Sequence, residues 1–292
     1  MTYLVSYRPQ TDDSGALALA CQFARSEPGT VHALTVVPRG WETSAGSATD
    51  GEFETWAAEE GEASAEAALA ILAQDDPDVT AEATWVTGRS VPAAILQQAE
   101  ALGASLIVVG SGTDGPDGRI TVSSKTDRLL HSSGVPVALA PRGYQPVPGS
   151  KITRVTLAFR DDDATWKLLD EVAEICKRVG AELRLLTVAL KQRPMVPSPV
   201  RGDEDLVFAK LVEQVKGAQV EAMEHLYKRG VDATVDVARG ASWADALGSV
   251  DWADGDVLVV GSSRTHQLAN VFLGSGGAKI VRNSPVPVVV LP

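Results

Sequence analysis

The chain has little of what metal, redox and membrane chemistry requires. Two cysteines occur in 292 residues, Cys21 and Cys176. They form no Cys-x-x-Cys pair, and each falls in a stretch that reads as a helix, so two buried thiols are expected rather than a redox or zinc site. The four histidines, His32, His131, His225 and His266, are scattered, and no Cys/His cluster suggests a metal. Apolar runs such as Leu106–Val109 and Val286–Leu291 are far short of the roughly 20 residues that cross a bilayer. Arg8, Asp12 and Asp13 interrupt any secretory apolar region near the start. Positive charge is also in deficit, with 26 Lys and Arg against 38 Asp and Glu. Net repulsion of phosphates argues against nucleic acid and anionic membrane as partners. A soluble cytoplasmic protein is expected. Hydrophobic residues make up 45% of the chain, which is globular, and the length suggests two domains at roughly 100–200 residues each.

What the chain does have is a copy of itself. Tyr3-Leu-Val-Ser-Tyr7-Arg8 lines up with Val155-Thr-Leu-Ala-Phe159-Arg160, and Val31-His-Ala-Leu-Thr35-Val36 with Leu183-Arg-Leu-Leu-Thr187-Val188. Leu106-Ile-Val-Val-Gly110-Ser111 matches Val257-Leu-Val-Val-Gly261-Ser262. Ser133-Gly-Val-Pro136 through Pro141 matches Ser284-Pro-Val-Pro287 through Pro292. An offset this long means duplicated domains rather than a solenoid. The expected domains are residues 1–145 and 151–292, joined by a linker at Gly143–Ser150 that has little to bury.

Each half alternates strand and helix through five strands, which favours a parallel sheet with helices on both faces. Strands are expected near Tyr3–Tyr7, Val31–Val37, Ala81–Val86, Leu106–Val109 and Val137–Ala140, and near Val155–Phe159, Glu182–Val188, Ala233–Val237, Val257–Val260 and Val288–Leu291. Asp12-Asp13-Ser14 and Asp161-Asp162-Asp163 are placed to cap following helices. The third strand alternates apolar and polar, as an edge does, whereas the fourth is an unbroken apolar run suited to burial on both faces. The implied order is 3-2-1-4-5. The last strand of each half then lies at an edge with no charge to protect it. Pairing of these two strands within one chain, as a pseudo-dimer, is the favoured remedy; coverage by a loop or helix is the other, and a homodimer of chains stays open.

After the fourth strand of the second half, Gly261 can turn the chain off the strand end, and Gly274-Ser275 opens the last helix. Free N–H groups at a helix start favour an anion, and a phosphate tail fits between Arg264 and Ser275. In the first half Gly110-Ser-Gly112-Thr-Asp-Gly115 spells a dinucleotide fingerprint. It follows the fourth strand rather than the first and runs on into a loop, so it is read as a decoy. The six tryptophans are read as packing residues.

Taken together, these residues resemble the universal stress protein family, and the resemblance covers both halves. Members that hold adenine nucleotide carry Gly, two residues, Gly, nine residues, then Gly and Ser or Thr. Gly261, Gly274 and Ser275 fit that pattern, with Arg264 where the second glycine is expected. Gly110 and Ser124 fit in the first half, but Thr113 and Ser123 replace the glycines between them. Arg8 and Arg160 stand where the family places an Asp after the first strand, and Val36 and Val188 fit the small apolar residue near the base. The first half holds eight basic against nineteen acidic residues, the second eighteen against nineteen, so a polyphosphate is repelled far less by the second. The resemblance implies a non-enzymatic stress-response protein with a Rossmann-like fold of the adenine-nucleotide alpha-hydrolase type. It would bind ATP or another adenine nucleotide in the second half alone, through Val188, Gly261, Arg264, Gly274 and Ser275, and act on an unidentified regulatory protein. A nucleotide-free interaction scaffold is the alternative.

Overall fold

A computed structural model describes residues 1–8, 14–39, 48–191, 203–262 and 275–292, and within them the side chains of all but 48–50, 203–207 and 275. Asp12, Asp13, Trp41, Arg264, His266 and Gly274 therefore lie outside the described residues. The first half runs β1 (Thr2–Ser6), α1 (Ser14–Ser26), β2 (Thr30–Pro38), α2 (Ala48–Asp75), β3 (Ala81–Gly88), α3 (Val91–Leu102), β4 (Leu106–Val109), α4 (Ser124–Ser132) and β5 (Val137–Leu139). The second repeats it as β6 (Arg154–Ala158), α5 (Asp163–Val179), β7 (Glu182–Leu190), α6 (Asp203–Tyr227), β8 (Ala233–Gly240), α7 (Trp243–Gly248), β9 (Asp256–Gly261), α8 (Ser275–Asn283) and β10 (Val288–Leu291). Local chemistry sets the helix ends. Ser90, Ser123, Asp162 and Ser242 are N-caps whose side chains accept a backbone N–H of the first turn. Gly103 and Gly180 stop α3 and α5 in the left-handed region, at φ 58 and 70.

The strands form one sheet of ten, in the order β3-β2-β1-β4-β5-β10-β9-β6-β7-β8. Each half thus has the order 3-2-1-4-5, all parallel within itself. The two uncharged last strands pair antiparallel, Val288 with Leu139, Val289 with Ala138 and Val290 with Val137. What would be two sticky edges becomes the buried middle of a continuous sheet. The true edges are β3 and β8; β3 largely alternates between half-buried and exposed residues, β8 is mostly half-buried or exposed with only Ala238 buried, and the two include Glu82 and Asp236.

Crossover handedness fixes the layers. The connections β1–β2–β3 run one way and β3–β4–β5 the other, so α1 and α2 cover one face while α3 and α4 cover the other. The duplicate does the same. One core layer joins Val5, Leu17, Leu72, Leu157, Leu169 and Leu226; the opposite layer joins Leu4, Ile95, Ile107, Leu129, Leu258 and Val281.

The linker is more than a tether. Tyr144 is half-buried against the core. A Cβ on Gly15 of α1 would stand only 3.1 Å from its Cβ, so glycine lets the linker lie on the helix. The Tyr144 hydroxyl donates to Gln22 Oε1 at 2.5 Å, and Gln22 Nε2 donates to Ser150 Oγ at 2.8 Å. Expecting little burial here overlooked an aromatic that the helix surface was shaped to take. Glu27 and Arg178, 2.5 Å apart, add an ion pair between the halves.

At the amino ends of the second half's strands lies a buried charge cluster. Arg154 grips Asp256 at 2.8 and 2.6 Å. Arg184 approaches the same carboxylate at 3.6 Å, donates to Thr156 Oγ1 at 3.0 Å, and lies 4.6 Å over the Trp252 ring. In the first half the position of Arg184 is taken by His32, which contacts Thr84 Oγ1 at 2.8 Å and Glu82 at 3.3 Å.

Candidate functional site

Chain direction opens a crevice in each half. The helix leaving β6 goes to one face of the sheet and the helix following β9 to the other, so the carboxyl ends of these neighbouring strands part. In the second half the space measures ≈ 730 Å³, and its walls include Arg160, Asp162, Val188, Trp243, Ser262 and Gly276.

Among the residues expected from sequence, Val188 at the end of β7 and Gly261 at the end of β9 both line this crevice. Gly261 has an additional reason to be small, because a Cβ there would come within 2.8 Å of Leu168 Cδ2 on α5. Arg264 and Gly274 lie outside the described residues, and Ser275 is described as the first residue of α8 but not in its side chain. The next two residues, Gly276 and Gly277, also line the crevice. A helix start with two glycines in its first turn leaves backbone donors there open to whatever approaches.

Arg160 reaches the crevice without plugging it. Its side chain is 71% exposed and turned to Asp162, with contacts of 2.8 and 2.5 Å. Asp162 is fully engaged, since its other oxygen accepts from Thr165 N at 2.9 Å and Thr165 Oγ1 at 2.8 Å. Burial pushes this carboxyl up, but the two Thr165 donors and the Arg160 guanidinium outweigh it and hold the group below the usual carboxylate value. Ser262 differs: its Oγ is buried and makes no hydrogen bond among the described residues. A buried hydroxyl with no partner is uncommon and marks a place where a polar ligand atom would be welcome.

Three wall residues escaped the sequence reading. Ser262 was seen only as part of a repeat match, Asp162 only as a cap, and Trp243 only as packing. The signal for Trp243 was its place, the first residue of a helix that follows a strand end, where Val91 stands in the first half.

The first half has a crevice of its own, ≈ 440 Å³, lined by Arg8, Val91, Thr113, Ser123 and Lys125 among others. Its loop is closed on itself. Gly112 N donates to Thr121 O at 2.8 Å and Thr121 N to Ser111 Oγ at 2.7 Å. A Cβ on Gly115 would fall 1.9 Å from Thr121 Oγ1. Arg142 holds the carbonyls of Thr113 and Gly115 from outside. Gly112 and Gly115 of the fingerprint-like run therefore serve loop packing. Ser123 Oγ accepts from Thr126 N at 3.1 Å, so the helix start is already capped. Burial, followed by repulsion from Arg8, lowers the Lys125 ammonium below its usual value. Two cations thus face this crevice although the half as a whole is acidic, a local fact that a charge count cannot reveal.

Among the described residues no three His, Cys, Asp or Glu side chains gather in a metal-binding group. No helix of those residues is long and apolar enough to cross a membrane. The architecture defines a class: tandem α/β proteins built of two Rossmann-like repeats with crevices at the carboxyl ends of their strands. Within that class the model of the universal stress protein family matches residues 4–141 and again 151–292. A universal stress protein of Mycobacterium tuberculosis H37Rv and one of Mycobacterium bovis are each 34% identical to the chain over 295 aligned residues, covering 100% of both partners. A solved universal stress protein from Archaeoglobus fulgidus shares the fold, with a TM-score of 0.62 and 21% identity over 99% of this chain and 97% of that one. So does a putative universal stress protein from Pseudomonas aeruginosa, with a TM-score of 0.56 and 17% identity over 99% and 92%. The chain belongs to the universal stress protein family, whose members are generally non-enzymatic stress-response proteins.

Proposed function

We propose that this protein is a cytoplasmic regulator or protector in the stress response that binds ATP or another adenine nucleotide in its second repeat, residues 151–292, and not in its first, residues 1–145. The observation that carries this reading is the unpartnered Ser262 hydroxyl in a crevice of ≈ 730 Å³ beside the glycine-lined start of α8. Val188 would meet the base. Gly261, Arg264, Gly274 and Ser275 would surround the phosphate tail, Arg264 supplying a guanidinium where the family's glycine would have supplied room. Each charge-assisted hydrogen bond of that kind contributes about 1.5–3 kcal/mol. The first crevice is smaller, its loop is closed on Thr121, and Ser123 already satisfies a helix donor. Nucleotide bound in this crevice would complete the surface offered to a regulatory protein, coupling partner binding to nucleotide. The departures at Arg160 and Arg264 favour a second reading, a scaffold that binds partners without nucleotide.

Calorimetric titration with ATP, ADP and AMP separates the two. The expected result is saturable heat with one nucleotide per chain, removed by Gly274→Val and weakened by Ser275→Ala. No heat at millimolar ligand leaves the scaffold standing.

A further inference from the structure

We infer that Trp243 is the aromatic wall on which the base stacks in the second crevice, an inference that rests on the nucleotide reading and gives it a determinant of ligand class. The other described tryptophans are committed elsewhere. Trp85 is packed so closely under α2 that a Cβ on Gly61 would lie 2.3 Å from its ring. Trp166 donates to Asp161 Oδ1 and stands edge-on to Phe159 and His225. Trp252 donates to Leu247 O and carries Arg184 over its ring. Trp56, 49% exposed, lies against Phe53. Among the described residues Trp243 is the one tryptophan in the wall of the second crevice, half-buried, on the same lining as Val188 and Ser262.

Its position is held by the chain on both sides. Ser242 caps α7, and Gly240 allows a turn so tight that a Cβ would lie 2.5 Å from Ala246 N. From α8, Gly276 leaves just van der Waals room beside the ring, 4.0 Å from a built Cβ to Cη2, and the Lys279 ammonium lies over one face of the ring at 6.0 Å from its centroid, a looser contact than the 4.6 Å of Arg184 over Trp252. The indole thus spans from the α7 start to the first turn of α8. From that location the ring, which lines the crevice, would offer a face to a ligand whose charged end points at the helix start. The corresponding residue in the first crevice is Val91, which offers no such face. Aromatic stacking accepts any purine or pyrimidine ring and gives nothing to a bare polyphosphate, so Trp243 would make the second crevice select for a nucleotide.

The test titrates wild type, W243F and W243A with ATP and with inorganic tripolyphosphate, reading calorimetry and tryptophan emission together, with circular dichroism on each variant. The expected result is that ATP changes the emission of wild type and not of W243F, that W243F keeps its affinity within about threefold, and that W243A binds ATP about tenfold more weakly. Tripolyphosphate should bind all three alike. Equal ATP affinity in wild type and W243A overturns the inference and leaves nucleotide binding intact. Parallel loss of ATP and tripolyphosphate in W243A, with W243F unimpaired and emission unresponsive, overturns it as well, assigning the ring to support of α8. Absence of ATP binding in wild type removes both this inference and the nucleotide reading.

Discussion

The two repeats share every strand and crossover yet differ at both ends of their sheets. At the carboxyl ends the first repeat closes a hydroxyl-rich loop over a crevice that holds Arg8 and Lys125. The second keeps a larger space lined by Trp243, a buried hydroxyl that makes no hydrogen bond among the described residues, and a helix start with two glycines. At the amino ends the first repeat has His32 beside an exposed Glu82, and the second a buried Arg184 and Arg154 sharing Asp256. Topology therefore fixes where a site can lie, while a handful of side chains decide whether it is one.

The largest effect that separates the repeats should come from their amino ends. Asp256 is 1% exposed in its side chain and compensates two guanidiniums, of which that of Arg184 is 7% exposed. One Arg184 nitrogen is already without a hydrogen bond, and burial, followed by repulsion from Arg154, lowers that group below its usual value. Asp256→Ala would remove the carboxylate that both guanidiniums contact and should cost about 3–5 kcal/mol, read as a shift of the urea midpoint. A loss under about 1 kcal/mol would mean that Trp252 and the Asp251 carbonyl suffice to hold Arg184.

Next in size is the cap of α5, which also lines the second crevice. Asp162 satisfies Thr165 twice, so Asp162→Ala should cost about 1–2 kcal/mol in chemical denaturation, at the upper end for a cap, with Asp162→Asn losing less. The same residue gives a pH signature. Its folded-state value lies below the usual one, so its contribution is fully present above about pH 4 and fades as pH falls through the folded value. The melting temperatures of wild type and Asp162→Asn should therefore converge on acidification from pH 6 towards pH 2.5. A constant gap would assign the stabilisation to shape rather than charge.

Much of this architecture was legible beforehand because periodicity reports burial. The alternation in Ala81–Val86 marked a half-wet edge, the apolar run Leu106–Val109 a strand covered on both faces, and two uncharged last strands a seam. The crevices were legible in place but not in content. A tryptophan at a helix start has the same sequence signal whether it faces core or cleft, so Trp243 was indistinguishable from Trp252 until the turn at Gly240 was known. Net charge is silent on content for a similar reason. Nineteen acidic residues spread over the first half say nothing about the few ångströms around Lys125, where Arg8 is the neighbour that matters. Tyr144 was hidden because its burial depends on Gly15, far away in sequence.

The smallest expected effect completes the contrast between the amino ends. Glu82 occupies an edge strand with its side chain 64% exposed, 3.3 Å from the buried His32 ring. Water screens such a pair on one side, so whatever charge the imidazole carries, the carboxylate adds little. Glu82→Gln keeps the shape and a polar partner, and Thr84 Oγ1 still meets the other ring nitrogen at 2.8 Å. The change should stay below about 1 kcal/mol in the same urea series. Raising the salt to 1 M should shrink it further, because exposed pairs are screened over about 3 Å at that ionic strength, while the cost of Asp256→Ala should hardly move. Equal salt sensitivity at both positions would mean that water reaches Asp256, and the two amino ends would then differ in residue identity but not in physics.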